Sequence, residues 1–162
     1  VDEGLAFARS TSEADREPLD LATLVAEAVG DRVDLGEPIV MRPLPAAAPI
    51  VASHLGLTRV IGNLVDNALR YAGDAEVALA PAGAEWELTV GDHGPGIPAA
   101  ERARIFEPYV RLEGSRNRAT GGSGLGLAIA RQIVAAHGGT IAVHDRADGA
   151  SGTVIAVRLP AA

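Results

Sequence analysis

Apolar residues recur at helical spacing in three stretches of the chain. The first helix is predicted from Asp20, a favourable N-cap residue, to near Gly30, and its apolar residues follow the i, i+3, i+4, i+7, i+8 pattern: Leu21, Leu24, Val25, Ala28 and Val29. The second is predicted from Ser53 to about Tyr71, with apolar residues that gather on one side at 100° per residue: Leu57, Ile61, Leu64, Val65, Ala68 and Ala72. The third is predicted over residues 124–137, before two glycines. Each helix therefore has one side to bury.

Short runs of β-branched and other apolar residues predict strands between these helices: residues 39–41, 50–52, 75–80, 86–92, 140–144 and 153–159. Several of the strands are separated only by hairpin-length turns. Strands interleaved with one-sided helices are typical of a sheet covered by helices. The sequence therefore predicts an α/β fold, a two-layer sandwich in which a mixed, mostly antiparallel sheet of about five strands is covered on one face by three helices.

The length of 162 residues corresponds to one domain with at most a short appendage. Residues 1–19 carry five acidic residues against two arginines and lead to Pro18, a composition unlike the rest of the chain. We interpret residues 1–19 as the tail of a helix or a linker, and residues 20–162 as the single domain.

The sequence lacks both cysteine and lysine, and each absence excludes some kinds of catalytic and binding site. The sequence contains no cysteine, which excludes disulfides, Cys-ligated metal centres and thiol nucleophiles. All 14 basic residues are arginines, which excludes the phosphate-binding loops and kinase sites that need a lysine. A formal charge of −7 disfavours binding to nucleic acid or an anionic membrane, because both need a basic face. No apolar run approaches the roughly 20 residues of a membrane span.

The polar side of the second helix is rich in amides. Asn63 and Asn67 are separated by four residues, so both side chains point into the same space, with Arg70 and Tyr71 about one turn further on. An Asn oxygen is a suitable ligand for a Mg²⁺ ion that phosphate oxygens already hold. An ordinary solvated helix face is the alternative interpretation of an isolated pair of this kind.

Two glycine-rich segments lie further along the chain. In the first, Asp92 follows an apolar strand and precedes Gly94, Gly96 and Ile97, so a carboxylate can accept a hydrogen bond from an exocyclic amine while glycines approach a flat ring. In the second, residues 121–127 run into the third helix, where main-chain N–H groups can bind phosphate without lysine. Taken alone, the first segment is better explained as a Gly-Pro turn with an Asp cap, and the second is weak evidence because glycine-rich loops are common.

A loop between the glycine-rich segments concentrates positive charge. Five of the 14 arginines fall between residues 102 and 118, and the second half of this loop contains glycine and serine, as a lid over a ligand requires. Arg111 and Arg116 are the candidates to reach phosphates. A solvated basic loop is the alternative.

These segments, in this order, resemble the nucleotide-binding domain of bacterial sensor histidine kinases. That domain has the Bergerat fold, which type II topoisomerases, a heat-shock chaperone and mismatch-repair ATPases share. Four segments carry the resemblance, and they match the N box, first glycine box, F box and second glycine box, respectively: residues 63–72, 92–97, 106–109 and 122–127. The resemblance extends over about residues 20–160.

The resemblance implies a role for each candidate residue. Asn67 would coordinate Mg²⁺, and Asn63 would support its water shell or the phosphates. Arg70 and Tyr71 would contact phosphate and adenine, and Asp92 would accept the adenine amine. Arg111 and Arg116 would stabilise charge on the transferred γ-phosphoryl group. The remaining contacts would come from the glycine boxes and the strand beyond them: Gly94, Gly96, Ile97, Gly122, Ser123, Gly124, Leu125, Gly126 and Thr153.

The implied function is transfer of the ATP γ-phosphoryl group to a histidine. ATP-hydrolysing relatives carry a Glu base where this chain has Asn63, and an amide cannot accept a proton from water. Asp66 lies roughly 60° around the helix from Asn63, on the side away from Tyr71. None of the four histidines has the His-Glu/Asp-x-x-x-Pro context of the acceptor, so the acceptor is expected on a separate dimerisation domain.

The expected partners are that dimerisation domain and a response regulator that receives the phosphoryl group on an aspartate, with no nucleic acid and no direct membrane contact. We expect the fragment to be a monomer, its parent a homodimer, and the domain to lie on the cytoplasmic side of an inner- or plasma-membrane sensor. The alternatives are a serine kinase of the anti-sigma-factor type, a non-catalytic ATP-binding regulatory module, and a purely structural domain.

Overall fold

The computed structural model describes residues 15–108 and 125–162, which form strands and helices in alternation. The strands are β1 (Arg16–Asp20), β2 (Ile39–Met41), β3 (Pro49–Ser53), β4 (Ala75–Ala82), β5 (Glu85–Gly91), β6 (Thr140–Asp145) and β7 (Thr153–Pro160). The α-helices are α1 (Leu21–Asp34), α2 (His54–Ala72) and α3 (Gly126–Ala136), and two short 3₁₀ turns follow β5 (Ala99–Glu101 and Arg104–Phe106).

Five of the strands form one mixed sheet in the order β2-β4-β5-β7-β6. The β2–β4 pair is parallel, and the other three pairs are antiparallel. β1 and β3 form a separate two-stranded antiparallel sheet. The three helices pack on the main sheet around a single core, which confirms the predicted two-layer α/β sandwich.

Helix α2 is the central element of the helical layer. The Ser53 hydroxyl accepts a hydrogen bond from the main-chain N–H of Gly56 at 2.9 Å, which caps the start of the helix. Gly73, at a φ of 81°, ends it in the left-handed conformation that glycine adopts without strain. The apolar side is buried as predicted, and Leu57, Ile61 and Leu64 are each at most 1% exposed. Burial of each such side chain stabilises the fold by about 1.5–3 kcal/mol.

The start of the chain differs from the sequence-based expectation. Residues 1–19 are predicted to be a helix tail or linker, but Arg16–Asp20 is strand β1, paired with β3, and residues 1–14 lie outside the described residues. Proline at position 18 is compatible with a strand at the edge of a sheet. Helix α1 also continues through Gly30 to Asp34, because the buried Val29 and the partly buried Val33 keep its apolar side on the core.

None of the helices within residues 15–108 and 125–162 is both long and apolar enough to cross a membrane.

His137 joins α3 to β3 inside the fold. Its Nε2 accepts the main-chain N–H of Ser53 at 2.9 Å, and its Nδ1 lies 2.8 Å from the carbonyl oxygen of Ile133. Nε2 must therefore be unprotonated, with the ring proton on Nδ1. Burial lowers the pKa of His137 below its ordinary value of 6.5, and the nearby Arg16 acts in the same direction.

This arrangement makes the fold sensitive to acid. Because the folded-state pKa of His137 is lowered, its contribution to stability is complete above pH 6.5 and is lost as the pH falls through the lowered pKa. We expect His137→Gln, which can still accept from Ser53 and donate to Ile133, to flatten the fall in unfolding free energy between pH 7.5 and 5.5. Urea denaturation at several pH values measures this, and identical pH slopes in the two proteins would contradict it.

Candidate nucleotide-binding site

Asp92 lies directly after β5 and is buried. Its Oδ1 accepts main-chain hydrogen bonds from Gly94 at 3.0 Å and from Thr153 at 3.2 Å. Among the described residues, Oδ1 receives both of these bonds, so Oδ2 is left to accept a hydrogen bond from a ligand. Burial raises the pKa of Asp92, and the two main-chain hydrogen bonds oppose that rise.

The loop between β6 and β7 holds the segment that follows Asp92. The Ser151 hydroxyl donates to the Gly94 carbonyl oxygen at 2.7 Å, and the Arg146 guanidinium donates to the Asp92 carbonyl oxygen at 3.3 Å. Gly152 has a φ of 142°, and a Cβ on it would lie 1.9 Å from that same Asp92 oxygen. The β6–β7 loop therefore fixes the main chain of the first glycine-rich segment.

The same segment also packs on the end of α2. A Cβ on Gly94 would lie 2.8 Å from the Cβ of Ala72, so only glycine fits between Asp92 and the helix. The His93 main-chain N–H donates to Asp74 Oδ1 at 2.9 Å, and the His93 Nδ1 lies 2.6 Å from Asp74 Oδ2. Asp92 is thereby brought to the C-terminal end of the helix that carries the predicted amide residues.

The two asparagines of α2 have different surroundings. Asn63 Nδ2 donates to the carbonyl oxygen of Gly126 at 3.0 Å, which joins the amide side of α2 to the first residue of α3. Asn67 is half-buried, and its side-chain amide makes no hydrogen bond within the described part of the chain. Arg70 and Tyr71 are exposed at the end of the helix.

Asp66 is bound by an arginine of α1. Its carboxylate lies 2.7 Å from the Arg32 guanidinium, which also binds Glu37 at 2.9 Å. This ion pair connects α2 to α1. The prediction that Asp66 cannot serve as a base beside Asn63 stays a prediction.

Helix α2 thus connects two parts of one site. The Asp92 segment contacts it at Ala72, and the start of α3 contacts it at Asn63. These positions are nine residues apart, or about 13.5 Å along a helix at 1.5 Å per residue. The first turn of α3 has no side-chain cap among the described residues, so its main-chain N–H groups are suited to bind an anion. A ligand that contacts both parts would therefore have to extend along α2.

The structure places most of the predicted residues around α2, but some lie outside the described residues. The described members of the predicted set are Asn63, Asn67, Arg70, Tyr71, Asp92, Gly94, Gly96, Ile97, Leu125, Gly126 and Thr153. Arg111, Arg116, Gly122, Ser123 and Gly124 belong to residues 109–124, which are not described.

Comparison with known proteins identifies the fold family. The sequence profile of the histidine kinase-, DNA gyrase B- and HSP90-like ATPases matches residues 52–162. The chain belongs to this ATPase family. The predicted resemblance to histidine kinase nucleotide-binding domains is thereby confirmed.

Similar proteins within the ATPase family are sensor kinases. Sensor protein CutS of Streptomyces coelicolor is 38% identical over 164 residues, covering 96% of this chain and 39% of CutS. The mycobacterial sensor histidine kinase MprB has 32% identity and a TM-score of 0.75, covering 90% of this chain and 97% of the MprB chain. Full-length ShkA in complex with AMPPNP has 29% identity and a TM-score of 0.69, covering 93% of this chain and 32% of ShkA.

Three residues that support Asp92 were not predicted from the sequence. Asp74 and Ser151 bond to the segment after Asp92, and Arg146 bonds to Asp92 itself. All three are isolated polar residues at the ends of strands or in turns, with no spacing pattern that would distinguish them. The residues that they bond to lie far away in the sequence, so the spacing of neighbouring residues cannot predict these contacts.

Proposed function

We propose that this chain is the ATP-binding catalytic domain of a sensor histidine kinase. It binds Mg-ATP and transfers the γ-phosphoryl group to a histidine on a dimerisation domain, for relay to an aspartate of a response regulator. The observation that carries the proposal is the buried Asp92 carboxylate, with one oxygen held by main-chain N–H groups and the other left for a ligand. This chain spans 39% of the length of CutS. The proposed activity is therefore one that the domain would carry out as part of a longer protein.

The base end of the nucleotide would bind at Asp92. Its Oδ2 would accept the exocyclic amine of adenine, and a guanine, which presents a carbonyl oxygen at that position, would be repelled. Gly94 lets this main chain pack directly on Ala72 of α2, so Gly94 and Gly96 would hold the chain beside the ring. Ile97 and Thr153 complete this end of the site in the proposal.

The phosphate end would bind between α2 and the start of α3. Asn67 offers a half-buried amide with no hydrogen bond to the described residues, and its oxygen is a hard ligand that fits Mg²⁺ held mainly by phosphates. Mg²⁺ would neutralise charge on the β- and γ-phosphates. Asn63 would support the metal's water shell, and main-chain N–H groups from Gly122 to Gly126, including those of Ser123, Gly124 and Leu125, would bind phosphate oxygens.

The residues around Asn63 favour transfer over hydrolysis. An amide at this position cannot act as a base toward water. The neighbouring carboxylate that could substitute for it, Asp66, is bound to Arg32 of α1. A water molecule at the γ-phosphate would therefore lack a base among these residues, whereas the imidazole of an acceptor histidine is itself a nucleophile.

Four further features of the function are proposals that rest on sequence similarity. Arg111 and Arg116 would stabilise the γ-phosphoryl group during transfer, and Arg70 with Tyr71 would contact phosphate and adenine. The domain would work with a dimerisation domain, for which residues 1–14 are the candidate connection, inside a homodimeric parent. That parent would be a membrane-anchored sensor with this domain on its cytoplasmic side. The named sensor kinases among the relatives support this assignment.

Asn67→Ala is the variant that tests the metal and transfer steps together. Calorimetry should show that Mg²⁺ strengthens ATP binding to the wild-type chain, and that the variant loses this effect, with Mg-ATP affinity reduced by about tenfold or more. Transfer of labelled phosphate to a separately supplied dimerisation domain should fall in parallel. Thr58→Ala, at a partly buried position of the same helix, is the matched control and should behave as wild type.

The chemical stability of the product separates the kinase classes. Phosphohistidine is labile in acid, so the label should be lost on acid treatment and absent from an acceptor whose histidine is replaced by glutamine. Acid-stable label on serine would instead support a serine kinase. Wild-type protein that binds no Mg-ATP would refute the proposed function.

A further inference from the structure

Arg146 lies in the loop after β6, and its guanidinium connects three separate segments. Its Nη1 donates to the Asp92 carbonyl oxygen at 3.3 Å, and its Nη2 donates to Glu76 Oε1 on β4 at 3.2 Å. Asp148, in the same loop, accepts from Nε at 3.2 Å and from Nη2 at 2.9 Å. The side chain is only 10% exposed, so this cation is largely withdrawn from solvent.

Two glycines provide the space for this side chain. A Cβ on Gly91 would lie 3.3 Å from Arg146 Nη1, and a Cβ on Gly152 would lie 2.8 Å from Arg146 Cδ. The Arg146 side chain therefore runs against the bare main chain at the end of β5 and just before β7. These are the two strand ends whose main chain surrounds the Asp92 carboxylate.

We propose that Arg146 is a positioning residue for base recognition: it fixes the main chain that places the Asp92 carboxylate. The proposal rests on the proposed nucleotide site. Arg146 does not touch the nucleotide in this proposal and acts only through Asp92. The proposal stands on the four acceptor atoms that the Arg146 guanidinium binds and on its contacts with two glycines.

Arg146 also has a small electrostatic effect on Asp92. Burial is the main cause that raises the pKa of Asp92, and the charge of Asp74, in the turn before β4, raises it further. The charge of Arg146 acts in the opposite direction, as a smaller cause than burial or the main-chain hydrogen bonds. In the described part of the chain, the titratable groups bound to Asp74 or Arg146 are His93, Glu76 and Asp148.

The Arg146–Asp148 pair holds over a wide pH range. The hydrogen bond from Arg146 is the main cause that lowers the pKa of Asp148 to about 2. Asp148 is therefore ionised at every pH at which Asp92 titrates, and the loop keeps Arg146 in place while Asp92 changes charge. Loss of ATP binding in acid should then report Asp92 and not dissociation of the loop.

The test compares Arg146→Met and Arg146→Lys with two controls. Arg42→Met removes the other cation bound to Glu76, and Arg158→Met removes an exposed pair with Glu87. Neither control contacts Asp92. ATP affinity is measured by calorimetry from pH 8 to pH 5, and the Asp92 carboxyl is titrated by carbon NMR without nucleotide.

We expect Arg146→Met to weaken ATP binding by about tenfold, equal to 1.4 kcal/mol, and to move the acid midpoint of both curves to higher pH. Arg146→Lys retains the positive charge but not the hydrogen-bond geometry. Its acid midpoint should therefore lie close to that of wild type, while its ATP affinity should stay reduced. Both controls should match wild type. If Arg146→Met does not fold, Arg146→Lys still tests the role in affinity, and its loss must exceed that of both controls.

Two results would contradict the proposals, and they are distinguishable. An unchanged Asp92 titration in Arg146→Met, with unchanged ATP affinity, would overturn the role of Arg146 and leave the proposed function intact. Wild-type protein that binds no ATP would refute the proposed function, and the NMR titration without nucleotide would still decide whether Arg146 controls the ionisation of Asp92.

Discussion

Replacing Asp92 with Asn should weaken ATP binding by about 100-fold and leave the fold intact. The Asn Oδ1 can still accept from Gly94 and Thr153, so the main-chain contacts persist. The second oxygen, however, becomes an amide nitrogen that points a donor at the donor amine of adenine. Loss of a hydrogen bond to a charged group costs about 1.5–3 kcal/mol, and the repulsion between two donors adds to it.

The stability of the Asp92 variant provides an internal check. Burial raises the folded-state pKa of Asp92, so the ionised carboxylate opposes folding at neutral pH. The free energy of unfolding therefore decreases as the pH rises through that pKa. Asn carries no charge, so the unfolding free energy of the variant at pH 7 should equal or exceed that of wild type.

The control for Asp92 is Glu87→Gln, which removes a partly exposed carboxylate on the adjoining strand β5. It should retain wild-type ATP affinity in the same calorimetric titration. ATP affinity of the Asp92 variant within about threefold of wild type would show that the carboxylate does not read the base, and the position of adenine would have to be assigned elsewhere.

Helix α2 shows how much the sequence alone could predict. Its cap at Ser53, its buried stripe and the shared direction of Asn63 and Asn67 depend only on residues within one helix, where spacing decides the geometry. Asp92 was predicted for the same reason, because a carboxylate next to glycines at a strand end is a local pattern. Local patterns therefore identified the candidate residues on both sides of the site.

The parts that could not be predicted depend on contacts between distant segments. Strand β1 has no alternation of apolar and polar residues and contains a proline, and its extended conformation comes from pairing with β3. Arg146 is separated from Asp92 by 54 residues, and it meets the Asp92 carbonyl oxygen because β5 and β7 are neighbours in the sheet. Side-chain spacing holds no information about such pairings until the order of the strands is known.

Main-chain groups supply much of the proposed site, which accounts for a chain without lysine. N–H groups of Gly94 and Thr153 hold the carboxylate, and the start of α3 offers further N–H groups toward the phosphates. A site of this kind depends on close approach of strands and loops, which a Cβ at a tightly packed glycine would prevent.

Gly152→Ala tests this dependence most directly, and we expect it to destabilise the fold by about 3 kcal/mol or more. Its φ of 142° strains any residue with a Cβ, and that Cβ would lie 1.9 Å from the Asp92 carbonyl oxygen, a backbone atom that cannot rotate away. Relief of the overlap must move either Asp92 or the β6–β7 loop. The folded fraction of Gly152→Ala should therefore also bind ATP more weakly than wild type.

Gly149→Ala is the matched control, since Gly149 lies in the same loop at a φ of 77° with no atom within 4 Å of the added Cβ. Only backbone strain applies there, at about 1–2 kcal/mol, and Asp92 is not displaced. Urea denaturation gives the two stabilities, and calorimetry gives the two ATP affinities. The expectation would be contradicted if both variants lost the same stability and Gly152→Ala kept its ATP affinity. That result would show that the β6–β7 loop can shift to admit the Cβ without moving Asp92.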